Sequence, residues 1–150
     1  MAIRDYVHTP RGFLTLWGGY GCGKTHLLAS LVNECTRSAI GAVYYTLPDM
    51  LDVLRDAFAE NAYDRRYARM LSVRVLVIDE VDKARLTDWA KEQLFRLVDE
   101  RYRMRHQQGT VFAMNVPPDA RDEQLGYLYS RMHDGRIIHM TADDIRRRYE

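Results

Sequence analysis

The chain has 150 residues, of which 47% are hydrophobic and 29% charged, enough for one domain with a sizeable core and too few for several. A formal net charge of +1 excludes a globally basic nucleic-acid binder, so any such binding has to come from a local patch. No apolar run approaches the ~20 residues that span a bilayer and the opening MAIRDYVHTP lacks the charged-then-apolar pattern of a secretory leader, so a cytoplasmic protein without membrane contact is expected.

Met1 to Arg11 is polar and mixed, and Pro10-Arg11-Gly12 punctuates it, so residues 1–12 are expected to be a lead-in to a core over 13–150. Phe13 to Trp17 predicts a short buried strand and His26 to Cys35 a helix with Leu27, Leu28, Leu31, Val32 and Cys35 on one face. Between them Gly18-Gly19-Tyr20-Gly21-Cys22-Gly23-Lys24-Thr25 fits the phosphate-loop pattern G-x-x-x-x-G-K-[ST] in its required strand-to-helix context. The glycines permit the close approach with which successive N–H groups wrap a triphosphate, and the helix that follows points its positive end at the same charge. Lys24 would reach the β- and γ-phosphates, and the Thr25 hydroxyl would sit on Mg²⁺, a hard ion served by oxygen ligands. Cys22 and Cys35 lack the spacing of a zinc or disulfide framework and read as free thiols.

Ala42 to Leu47 predicts a second strand, and Pro48-Asp49 opens a helix with an apolar stripe from Met50 to Phe58. From Glu60 to Arg69 the chain turns polar, with Tyr63, Arg65, Arg66, Tyr67 and Arg69 close together. The plainer reading is a solvent-facing helix; the alternative is a track for single-stranded DNA whose bases stack on the tyrosines. Val73 to Asp79 predicts a third strand, apolar but for Arg74, as suits a strand buried on both faces. A helix capped by Thr87 or Asp88 then runs to about Gln108, followed by a strand at Thr110 to Asn115, a helical stretch around Asp122 to His133 and a strand at Arg136 to Met140. This alternation predicts a three-layer α/β domain with a mainly parallel five-stranded sheet, whose ligands lie beyond the carboxyl ends of the strands.

Val75-Leu76-Val77-Ile78-Asp79-Glu80 delivers two carboxylates at such an end, a Walker B arrangement. Asp79 would hold the Mg²⁺ shell and Glu80 would orient the water that attacks the γ-phosphate. The nucleotide-binding set is therefore Gly18, Gly19, Tyr20, Gly21, Cys22, Gly23, Lys24, Thr25, His26 and Asp79, with Thr25 and Asp79 on the metal. Asn115 ends the fourth strand at the same edge and is either a turn residue before Pro-Pro or a hydrogen-bonding partner of the attacking water. Arg131, just before the fifth strand, is either a solvated helix arginine or a guanidinium that reaches a neighbouring subunit's nucleotide.

GGYGCGKTHLL, VLVIDEVDK, TVFAMNVPPD and LYSRMHDGRII together resemble the AAA+ ATPase core of the DnaC/DnaI/IstB group, the replicative helicase loaders and their transposition relatives, from Phe13 to Arg146. The resemblance implies a P-loop NTPase of the ASCE type with little or no C-terminal lid. It makes Lys24 and Thr25 Walker A, Asp79 and Glu80 Walker B, Asn115 sensor 1 and Arg131 an arginine finger acting in trans. It also implies ATP as the nucleotide, an ATP-dependent homo-oligomer and a replicative helicase or transposase as partner. Lys83 fits the pattern without an assigned role, Arg146 to Arg148 follow the last strand too closely to be assigned as a sensor 2, and the N-terminal docking domain usual in loaders is expected to lie outside these 150 residues if there is one.

The expected function is a Mg-dependent ATPase acting in DNA replication as a helicase-loader-like assembly factor. The alternatives are an IstB-like transposition ATPase or an ATP-dependent clamp on DNA or a partner with negligible turnover. A small-molecule kinase fits less well, because the Asp-Glu pair and Asn115 suit activation of water.

Overall fold

Short apolar runs alternate with amphipathic segments along the chain; each run becomes a strand, and the central ones are covered on both faces by the segments around them. The computed structural model describes residues 2–141. The elements are α1 (Ala2–His8), β1 (Gly12–Trp17), α2 (Lys24–Arg37), β2 (Ala42–Thr46), α3 (Leu47–Ala59), α4 (Tyr63–Ser72), β3 (Val75–Asp79), a 3-10 turn (Val81–Lys83), α5 (Asp88–Arg103), β4 (Gly109–Met114), α6 (Gly126–His133) and β5 (Arg136–His139). The five strands form one sheet in the order β2-β3-β4-β1-β5, with every pairing parallel.

The two-residue period of a strand sends neighbouring side chains to opposite faces. Phe13, Leu76, Ile78, Phe112 and Met114 enter the core shared with α3, α4, α5 and α6. Leu14, Leu16, Val75, Val77, Val111 and Ala113 enter the core shared with α1 and α2. The helices on both faces exclude water from the central strands, so the backbone polar groups are met within the sheet. The polar chemistry is left to the carboxyl edge.

Several boundaries move from their sequence-based positions for local reasons. Leu47 leaves β2 and opens α3, because Thr46 turns extended and its hydroxyl accepts a hydrogen bond from Asp49 N at 3.2 Å, with Pro48 just inside the helix. Val73 and Arg74 precede β3, and α5 stops at Arg103 rather than near Gln108. Asp122 does not begin α6; its carboxylate accepts from Gln124 N and Leu125 N and holds the turn before it. Asn115 and Met140 stand one residue beyond β4 and β5.

The polar N-terminal segment contains a helix that composition did not announce. Val7 of α1 is 2% exposed within the second core, and the Tyr6 hydroxyl donates to Gly12 O at 3.1 Å. The charged segment from Asp143 to Glu150, including Arg146 to Arg148, lies outside the described residues. Among the described residues no helix is long and apolar enough to cross a membrane.

Candidate nucleotide site

The order of the sheet makes the cleft. β4 lies between β1 and β3, and the register pairs Trp17 with Met114 and Ile78 with Phe112, so the ends of the three strands are level. The phosphate loop leaves β1, Asp79 and Glu80 leave β3, and Asn115 leaves β4 between them.

Gly18 has no room for a side chain: a Cβ there would stand 2.3 Å from Met140 O, so only glycine lets the loop start against the end of β5. Gly23 caps α2 in the left-handed conformation at φ 85 without any side-chain hydrogen bond. The N–H groups of the first turn of α2 are therefore not met by a cap and are suited to an anion. Lys24 is buried, and its ammonium donates to Gly18 O at 2.5 Å and Gly19 O at 2.9 Å, with Cys22 Sγ 3.4 Å away. The charge is thus aimed at the middle of its own loop. Cys22 is a buried free thiol beneath the loop rather than a cleft-facing group.

Asp79 is 3% exposed, yet both its oxygens are fully engaged. Oδ1 accepts from Glu80 N at 2.8 Å, while Oδ2 accepts from the Thr25 hydroxyl at 2.9 Å and the Tyr44 hydroxyl at 2.6 Å. Thr25 and Asp79 supply hard oxygen donors a single hydrogen bond apart. This is the set that a Mg²⁺ ion takes when waters and substrate phosphates complete its shell. Glu80 adopts left-handed backbone angles, φ 53 and ψ 41, which turn its side chain out of the strand; such strain in a non-glycine residue is characteristic of functional positions. Asn115 N donates to Asp82 Oδ2 at 3.1 Å, which ties the end of β4 to the turn after β3.

Tyr20, Gly21, Gly23, Lys24, Thr25, His26, Asp79, Glu80 and Asn115 all line one cleft, together with Lys83 and Met114. Gly18 and Cys22 are buried behind the loop, and Gly19 is exposed on it outside the cleft lining. Arg131 is not brought to this cleft. It lies on α6, where its guanidinium is 3.4 Å from Asp99 Oδ1 and 4.4 and 5.3 Å from the ring centroids of Tyr102 and Tyr127.

Residues 2–144 match the family described as IstB-like ATP binding protein. The chain belongs to this family. The IstB-like chain is 25% identical over 118 residues to the replicative helicase loader DnaI of Bacillus subtilis, an alignment covering 78% of the chain and 38% of DnaI. It is 29% identical over 117 residues to an insertion sequence IS1162 protein of Pseudomonas fluorescens, covering 78% of the chain and 49% of that protein. The chain thus spans less than half the length of either relative. A solved structure of the DnaC helicase loader superposes with a TM-score of 0.77 at 23% identity, covering 93% of the chain and 86% of DnaC. At that identity the likeness concerns the fold alone, a five-stranded parallel sheet between helices, which agrees with the α/β class expected from strand and helix alternation.

Sequence reasoning did not find Tyr44 and gave Lys83 no role. Nothing in the motifs marks Tyr44; its hydroxyl meets Asp79 only because β2 pairs with β3. Partial desolvation of the half-exposed ring, reinforced by the bond to Asp79, pushes the Tyr44 phenol above the usual tyrosine range and keeps it a donor. The tyrosines of the Arg/Tyr segment also differ from the base-stacking reading. Tyr67 is 5% exposed in the core, and Tyr63 stacks on it while donating to Gln93 Oε1. Arg65, Arg66 and Arg69 remain exposed on α4.

Proposed function

We propose that this IstB-like chain is a cytoplasmic Mg-dependent ATPase that serves DNA replication as a helicase-loader-like assembly factor, its site completed between copies of itself. The observation that carries the ATPase reading is the hydrogen bond from Thr25 to Asp79 beneath an uncapped helix start, with Glu80 beside it in the same cleft. In this reading Lys24 exchanges its loop carbonyls for the β- and γ-phosphates, and Thr25 and Asp79 hold Mg²⁺, whose charge offsets that of the phosphates. Glu80 orients the attacking water and Asn115 hydrogen-bonds it or the γ-phosphate. Arg131 lies away from its own chain's cleft, which suits a finger that serves the next copy. Residues 13–150 then act as the catalytic core.

The loader role is carried by the likeness to DnaI and to the DnaC fold. A transposition role has its own support in the IstB-like family and the insertion-sequence relative. The deciding experiment measures Mg²⁺-dependent ATP hydrolysis against protein concentration, with and without single-stranded DNA, and then with a replicative helicase or a transposase added. Specific activity that climbs with concentration or DNA is expected for a site shared between copies. Stimulation by the helicase alone selects the loader, and stimulation by the transposase alone selects the alternative. A flat, near-zero rate despite tight ATP binding would overturn the ATPase in favour of a nucleotide-gated clamp.

A further inference from the structure

The cleft contains one charged group that these roles leave unused. Lys83 closes the 3-10 turn after β3 and lines the same cavity as Lys24, Thr25, Glu80 and Asn115. Its ammonium lies 3.3 Å from Glu80 Oε1 and 4.9 Å from the centroid of the Tyr20 ring. Tyr20 stands at the tip of the phosphate loop with 80% of its surface exposed. Glu80, Lys83 and Tyr20 therefore form a strap from the end of β3 to the loop. The turn fixes this geometry, because Lys83 N donates to Glu80 O at 3.1 Å and Glu80 is held in the left-handed conformation.

Among the described residues, Lys24 and Lys83 are the ammonium groups that line the cleft, one on the loop side and one on the carboxylate side. An ammonium has three donors, of which Glu80 takes one. The Lys83–Glu80 pair is more than a third exposed on both sides, so it is weak and readily exchanged for a stronger anion. A terminal phosphoryl group is such an anion, with more charge than a carboxylate and several acceptor oxygens.

We infer that Lys83 is a second phosphate-reading cation, specific for the γ-phosphate. In the empty cleft it holds Glu80 against the loop tip; when ATP arrives it leaves the carboxylate for the γ-phosphate and frees Glu80 to orient water. ADP, without that phosphate, leaves the strap closed. The inference rests on the reading of Glu80 as the water-orienting carboxylate.

The test is the equilibrium affinity of the full chain for ADP and for a non-hydrolysable ATP analogue, in the native protein and in Lys83→Met and Lys83→Arg. Lys83→Met is expected to weaken the ATP analogue ~10-fold, the scale of one charge-assisted hydrogen bond at a half-exposed site, and ADP by less than ~2-fold. Lys83→Arg, which keeps the charge, is expected to retain the preference. A purely structural role would move both nucleotides together, so equal losses, or an unchanged ratio, overturn the inference. Glu80→Gln separates the two readings: turnover that persists in this variant refutes the role of Glu80, whereas blocked turnover alongside an unchanged nucleotide ratio in Lys83→Met refutes Lys83 alone.

Discussion

A buried charge is unfavourable unless every donor is met, and Arg101 is the clearest case in this chain. It is 1% exposed, and its guanidinium donates to Thr110 Oγ1, to the carbonyls of Met70, Leu71 and Val73 and to Gly109 O, at 2.7 to 3.0 Å. Burial lowers its pKa to about 10, so it still carries its charge at neutral pH. The fork joins the end of α4 to the starts of β3 and β4, at the opposite edge of the sheet from the cleft. Arg101→Met is expected to destabilise the fold by at least ~3 kcal/mol, because orphaned buried carbonyls cost ~1–3 kcal/mol each, while nucleotide affinity at a temperature where the variant is folded stays unchanged. Urea unfolding and nucleotide titration check the two halves. Sequence reading saw only a charged position on a long helix here; nothing local announces acceptors 28 to 31 residues away.

At the scale of elements, α4 shows how one segment divides its faces. Tyr67 and Met70 are buried, and Arg96 of α5 lies 4.5 Å over the Tyr67 ring, so the apolar face is committed to the core. Arg65, Arg66 and Arg69 are left on the solvent side with no core function. If α4 touches single-stranded DNA, it does so through phosphates and not by stacking. Replacing the three arginines by alanine is then expected to reduce the slope of log affinity against log salt by about 2, since each phosphate contact on a single strand contributes ~0.7. An unchanged slope would assign the three arginines to solvation alone. α6 is the other element whose role depends on its neighbours: Tyr127 donates to Asp99 and Tyr102 to Asp134, and Arg131 is held between the rings of Tyr102 on α5 and Tyr127 on α6. That arrangement keeps a long side chain ordered at the surface, with less rotamer entropy left to lose on binding an anion, as the proposed role requires.

For the whole molecule, the proposed role of Arg131 in a neighbour's site predicts activity that depends on association. Arg131→Ala is expected to lower turnover in the assembled protein, and mixing it with Lys24→Ala, which keeps Arg131 and is expected to lose ATP binding, is expected to restore part of the rate. No rescue under conditions where the two variants demonstrably co-assemble would remove Arg131 from a trans role. Stability also has a global pH signature. Burial is the largest cause of raised phenol pKa values at Tyr6, Tyr67 and Tyr129. Above pH ~10 the unfolded chain loses these protons while the folded chain keeps them, so the folded state binds more protons and stability falls as pH rises from there. Arg101, with its lowered pKa, acts in the opposite direction, but the phenols outnumber it, so the midpoint of chemical unfolding is expected to fall as pH rises above ~10.

Much of this protein was legible in one dimension because its determinants are local. The phosphate loop needs glycines within eight consecutive residues, central strands need unbroken apolar runs, and a Walker B pair needs only a strand that ends in acids. Glu80, Lys24 and Thr25 could be expected at one edge of the sheet for that reason, and the structure does bring them into one cleft; the parallel α/β class was legible in the same way. The helical character of the polar N-terminus was hidden, since Val7 is stabilised by a core assembled from distant segments. What the fold alone decided are the meetings across sequence distance: Thr25 with Asp79, Tyr44 on the same oxygen, Lys83 over Tyr20, and Arg131 held on α5 away from its own cleft. These depend on which strand lies beside which and on the level of their ends. Side-chain hydrogen bonds and charge pairs act over a few ångströms, so no local pattern can encode them until the order β2-β3-β4-β1-β5 has brought the partners together.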